Sequence, residues 1–121
     1  MNIIWIMCGG AVGAGLRYLS GLGMVRVLGK EFPYGTLFVN VLGSFLLGFL
    51  TVFLANRMTI SEDLRLALTI GLLGAFTTFS TFSLETVQLF EHGDYTKAVI
   101  NVALNLSLTI FAVIIGMALA K

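Results

Sequence analysis

From Tyr34 to Ala55 the chain carries no charged side chain, and the same holds from Ala98 to Ala120 and from Leu66 to Leu84. Runs of this length fix the solvent. About 20 helical residues cross the roughly 30 Å hydrocarbon layer of a bilayer. A further apolar run, from Ile3 into the mid-twenties, is rich in glycine and interrupted by Arg17. The 121 residues are 58% hydrophobic and only 11% charged, where ordinary globular domains carry roughly 25%. Mean hydropathy is +1.00. A soluble core of this size has no room for so much apolar surface, so lipid must cover it.

The fold expected is an all-α membrane protein, one domain over 1–121, with four transmembrane helices at about 3–27, 34–55, 64–90 and 96–120. The connections are short. "GKEFPYG" holds the only proline, Pro33, and "EHGDYTK" contains Gly93. "NRMTISED" ends in a helix-start signal, Ser61 followed by Glu62 and Asp63, which suits the positive end of a helix. The opening "MNIIWIMCGG" lacks a charged leader and a cleavage site, and reads as a retained helix.

Several function classes fall away. A net charge of +1 supplies no basic patch for nucleic acid. Cys8 is alone, which excludes an internal disulfide and a cysteine-rich metal site. His92 is the only histidine and sits between Glu91 and Gly93 in a loop, so neither a metal cluster nor a nucleophile–histidine pair can be assembled. "GGAVGAG" at 9–15 misses both nucleotide-binding fingerprints; Gly9 and Gly13 instead have the spacing for close helix contact. No enzyme is expected.

Orientation is nearly undetermined by charge. With four spans, Arg57, Arg65 and Lys121 share one side while Arg26, Lys30 and Lys97 share the other. Positive-inside bias normally sets topology. A balance this even fits copies inserted both ways and paired as an antiparallel dimer, or one orientation chosen by unequal weighting of near-membrane charges.

The third span, whose midpoint is Thr77, contains "GAFTTFSTFSLE", a knot of hydroxyls and phenyl rings that begins near mid-membrane. Gly71 and Gly74 precede it, and hydroxyls can replace lost backbone partners, so a helix break at mid-membrane is one reading. Carbonyls freed by such a break can hold a small cation such as sodium. A continuous helix whose Ser and Thr bond to their own turn is the other reading. Phe76, Phe79 and Phe82 recur every third residue on one helical face, either as packing or as ring edges lining an anion path.

Other polar residues fall in the spans. Lys97, Asn101, Asn105 and Thr109 make a stripe at spacing four along the last helix, which suits interhelical hydrogen bonding or a pore wall. Arg17 and Asn40 lie at a similar depth from the same membrane face, fitting an anion-attracting vestibule; snorkelling of Arg17 is the alternative. Glu85, also at that depth, either compensates Arg17 or relays protons. The relay would make the chain a small proton-coupled multidrug-type exporter.

"GGAVGAGLRY", "GTLFVNVLGSFLLG" and "GLLGAFTTFSTFSLET" resemble the CrcB/Fluc fluoride channels over essentially the whole chain, the third motif most specifically. The resemblance implies passive export of toxic fluoride across the bacterial inner membrane by a multi-pass protein. It implies an antiparallel dual-topology homodimer with two pores and a central sodium ion that is structural and not transported. By position it implies sodium held by the backbone carbonyls of Gly74 and Thr77, pore phenylalanines at Phe79 and Phe82, and polar pore positions at Thr36 and Thr81. It likewise implies a pore asparagine at Asn40, a vestibule arginine at Arg17 and an acidic residue near the pore at Glu85. Asn101 and Asn105 stand where other polar residues are expected in relatives. Phe76 falls where the family requires no aromatic ring.

Overall fold

The computed structural model describes residues 3–57 and 59–121, and its elements are helical throughout. α1 (Ile3–Leu28), α2 (Tyr34–Ala55) and α6 (Tyr95–Ala120) are each continuous. The third crossing, Glu62–Glu91, is composite: α3 (Glu62–Leu66), a π-helical stretch (Ala67–Leu73), α4 (Gly74–Phe76) and α5 (Ser80–Glu91). All four crossings are long and apolar enough to span a bilayer.

Side-chain burial runs opposite to that of a water-soluble bundle. Ile4 is 69% exposed and Val27 76%, and large apolar residues such as Ile110 and Leu119 also face outward. Inside lie a few apolar side chains, among them Val39, Leu73 and Phe76, together with Asn40, Asn101 and Asn105. Lipid is the only solvent in which that outer surface is stable. The chain is a multi-pass membrane protein.

Local signals account for the helix ends. The Leu64 amide donates to Ser61 Oγ at 3.2 Å, and Glu62 and Asp63 occupy the first turn, where backbone N–H groups point outward. The helix therefore begins two residues before the expected 64.

Backbone-to-backbone packing positions the crossings. A Cβ at Gly116 would strike the Phe45 carbonyl, and one at Gly48 the Val113 carbonyl, so α2 and α6 touch main chain to main chain. α1 meets the π-helical stretch in the same way: a Cβ at Gly9 or Gly13 would overlap the carbonyls of Ala67 and Leu72. Hydrocarbon offers no hydrophobic drive between helices, so this close contact is a main source of their association.

Candidate functional site between the second, third and fourth crossings

At Thr77 the backbone is extended (φ −88°, ψ 161°), and helix resumes only at Ser80. Two side chains take over the hydrogen bonds of this stretch. The Thr78 amide, which a continuous α-helix would direct at the Gly74 carbonyl, donates instead to Asn40 Oδ1 at 2.7 Å. The Thr81 amide, the helical partner of the Thr77 carbonyl, donates to Thr78 Oγ1 at 3.2 Å. Thr78, the residue before the N-cap Phe79, thus serves one of the free amides in the first turn of α5. Its own hydroxyl donates to Thr81 Oγ1 at 3.1 Å. The Thr77 hydroxyl turns back to the Leu73 carbonyl at 3.0 Å.

Asn40 sits at the centre of the arrangement. Its Nδ2 donates to the Thr78 carbonyl at 2.9 Å and to Asn105 Oδ1 at 3.0 Å, so both amide hydrogens are engaged. The Thr78 amide fixes which end of the side chain is oxygen. From Asn105 the network continues along α6. Asn105 Nδ2 donates to the Asn101 carbonyl at 2.9 Å and to Asn101 Oδ1 at 3.0 Å. Asn101 Nδ2 then donates to Thr86 Oγ1 at 3.0 Å, which itself donates to the Phe82 carbonyl at 2.8 Å. Asn101 is 0% exposed. The expected stripe on the last helix therefore faces the bundle. Asn101 and Asn105 tie α6 to α2 and α5, and Thr109 bonds within its own turn.

The phenyl rings depart from the single-face expectation. That spacing needs a continuous helix, and the extended Thr77 rotates the segment beyond it. Phe76 is buried beside Gly43, whereas Phe79 is 72% exposed and Phe82 only 6%. Phe79 and Phe82 remain neighbours, with centroids 5.3 Å apart and planes tilted by 54°, so ring edges rather than stacked faces meet.

A cleft of about 760 Å³ opens beside α5, lined by Arg17, Thr36, Thr78, Thr81, Glu85 and Lys97 among others. Arg17 and Glu85 do not form an ion pair across it among the described residues: Arg17 Nε and Glu85 Oε1 are each buried without a hydrogen-bond partner. Thr36 lines the same cleft as Glu85. At the mouth, Lys97 Nζ donates to the Glu31 carbonyl at 3.1 Å, and exposed His92 bonds the Gln88 carbonyl through Nδ1. The structure thus gathers Arg17, Thr36, Thr81 and Glu85 at one cleft. Asn40 lies outside its lining, joined to it through Thr78.

Three participants escape sequence reasoning. Thr78 shows the capping spacing to Thr81, a readable signal masked by the crowd of neighbouring hydroxyls. Thr86 and Gly43 carry no local signal for these roles: Asn101, which donates to Thr86, is 15 residues away, and Thr77, which packs on Gly43, lies on another crossing.

Residues 4–117 match the family model described as "CrcB-like protein, Camphor Resistance (CrcB)". The chain belongs to the CrcB-like family. It is 51% identical over 116 residues to a protein of Shewanella baltica (strain OS185) named "Fluoride-specific ion channel FluC", covering 95% of this chain and 92% of the relative. A protein of the same name from Shewanella sp. (strain ANA-3) is 50% identical over the same shares. A third of that name, from Methylococcus capsulatus, is 48% identical over 121 residues, which is the whole of this chain but only 53% of that relative. The chain therefore spans about half the length of the Methylococcus relative and nearly all of the Shewanella ones.

Proposed function

We propose that this CrcB-like chain is a fluoride-selective ion channel that lets toxic fluoride leave the bacterial cell passively across the inner membrane. The observation that carries the reading is the 51% identity, over 92% of its length, to a relative named a fluoride-specific ion channel. The site chemistry supports it. Fluoride is small and strongly hydrated, so its path must offer close hydrogen-bond donors and weakly positive ring edges in place of water. Arg17 attracts the anion at the cleft, the hydroxyls of Thr36 and Thr81 replace part of its hydration, and the edges of Phe79 and Phe82 carry it on. Asn101 and Asn105, the polar α6 positions that the resemblance places near the path, are buried beside it and brace Asn40 and Thr86. No catalytic step is involved.

The functional unit in this reading is an antiparallel, dual-topology homodimer with two equivalent pores. Its support is the even distribution of Arg and Lys between the two membrane faces and the exposure of Phe79 and Gly74 on the single chain. A pair of inverted copies covers that face and repeats each path.

The backbone around Thr77 fits a sodium ion. Sodium takes hard oxygen donors, and Gly74 and Thr77 are the residues whose helical amide partners are held by Asn40 and Thr78. Gly74 is exposed, on a face that a second subunit would cover in this reading. The bound ion supplies a fixed positive charge between the copies and is not transported. Gly74 and Thr77 hold it, while the side chains of Asn40 and Thr78 keep the amides away.

Efflux from liposomes containing only this protein tests the function. With an ionophore balancing charge, fluoride leaves rapidly, chloride is retained, and no proton gradient is required. Proton-driven uptake of a hydrophobic cation, abolished in Glu85→Gln, would instead establish the exporter reading that the half-buried Glu85 suggests.

A further inference from the structure

We infer that Asn40 and Gly43, one turn apart on α2, form a mould that sets the geometry of the cation-binding carbonyls. Asn40 is accordingly a positioning residue for those carbonyls. The inference rests on the sodium reading above and concerns residues that do not themselves bind the ion.

Two independent contacts carry it. Asn40 grips Thr78 from both sides, accepting its N–H at 2.7 Å and donating to its carbonyl at 2.9 Å. Its second amide hydrogen is held by Asn105 at 3.0 Å, so no hydrogen is left for an anion unless this framework opens. Gly43 receives the neighbouring residue. A Cβ there would collide with Thr77 Cγ2 and press on Phe76 Cδ2 at 3.2 Å. The missing side chain is therefore the seat of the Thr77 methyl, while the Thr77 hydroxyl is anchored to the Leu73 carbonyl. Peptide planes are rigid. Fixing the Thr78 N–H thus fixes the Thr77 carbonyl on the other side of the same peptide bond. Gly43 sets that peptide plane from one side and Asn40 from the other. A cation held by main-chain oxygens depends on their directions, which makes this pair a determinant of sodium affinity.

The test uses the purified full-length protein in detergent, with thermal unfolding followed as sodium replaces N-methylglucamine and no fluoride present. Wild type should gain thermal stability with sodium at a definable midpoint. Gly43→Ala should raise that midpoint about tenfold. Gly43→Ala/Thr77→Ser, which removes the colliding methyl and keeps the hydroxyl, should return it toward wild type. Gly15→Ala, where a Cβ meets nothing within 4 Å, should leave it unchanged. If Gly43→Ala does not fold, Asn40→Gln serves: it keeps the amide, displaces it by one methylene, and should raise the midpoint to a similar degree. A wild-type midpoint that neither substitution moves overturns the mould alone. A wild type indifferent to sodium overturns the sodium reading, and the mould with it.

Discussion

Asn40 and Thr78, 38 residues apart, are joined by reciprocal hydrogen bonds: the Thr78 amide to Asn40 Oδ1 at 2.7 Å, and Asn40 Nδ2 to the Thr78 carbonyl at 2.9 Å. One side chain satisfies both backbone groups of a residue that helix geometry has left unserved. In hydrocarbon an unserved peptide group is expensive, so non-helical backbone persists only where protein groups replace the lost partners.

Asn40→Ala should consequently destabilise the fold beyond the loss of side-chain volume. It strands the Thr78 amide and carbonyl together with Asn105 Oδ1. An unsatisfied buried polar group costs about 1–3 kcal/mol, and partial relaxation should hold the total to roughly 2–4 kcal/mol. Chemical denaturation in mixed micelles measures it. Stability equal to wild type would mean that the reciprocal pair does not form.

Asn101 and Thr86 should be energetically coupled. Their hydrogen bond is 3.0 Å and buried between α6 and α5. A double-mutant cycle with Asn101→Ala and Thr86→Ala should return a coupling of about 0.5–1.5 kcal/mol, the size found for interhelical bonds in membranes. Simple additivity would show that the two side chains act independently.

Much of this architecture is legible in the residues, and the reasons differ from element to element. The uncharged runs at 34–55 and 98–120 mark helices in lipid because a single apolar segment of that length satisfies its own backbone there only as a helix. Ser61 marks a helix start because capping is local. A periodic count places Phe79 with Phe76 on one face, and it fails because the direction of Phe79 depends on Thr77 being extended. Asn40, Asn101 and Asn105 are recognisable as polar residues in lipid. That they bond to one another, and that Gly43 seats Thr77, is decided only by how the helices pack.

Phe82→Ile should reduce fluoride efflux by roughly two- to tenfold, with the elution volume in size-exclusion chromatography unchanged. Loss of one ring-edge contact is worth about 0.5–1.5 kcal/mol, near that factor. Undiminished efflux would remove Phe82 from the path.

Dual insertion predicts half-and-half labelling. In a Cys8→Ser background, Lys121→Cys treated with a membrane-impermeant thiol reagent in sealed vesicles should react to about one half, reaching completion when the vesicles are opened. The balance of Arg and Lys leaves neither face preferred. Labelling near zero or near completion in sealed vesicles would mean a single orientation.

The proposed sodium ion would be held by main-chain oxygens at Gly74 and Thr77, whose helical amide partners are taken by Asn40 and Thr78. Solid-state NMR of protein in bilayers, with labelled carbonyls at Gly74, Thr77 and Ala103, reads it directly as sodium is exchanged for N-methylglucamine. The Gly74 and Thr77 resonances should move together while that of Ala103, inside continuous α6, stays fixed. Carbonyl resonances at Gly74 and Thr77 that ignore the exchange would contradict the account.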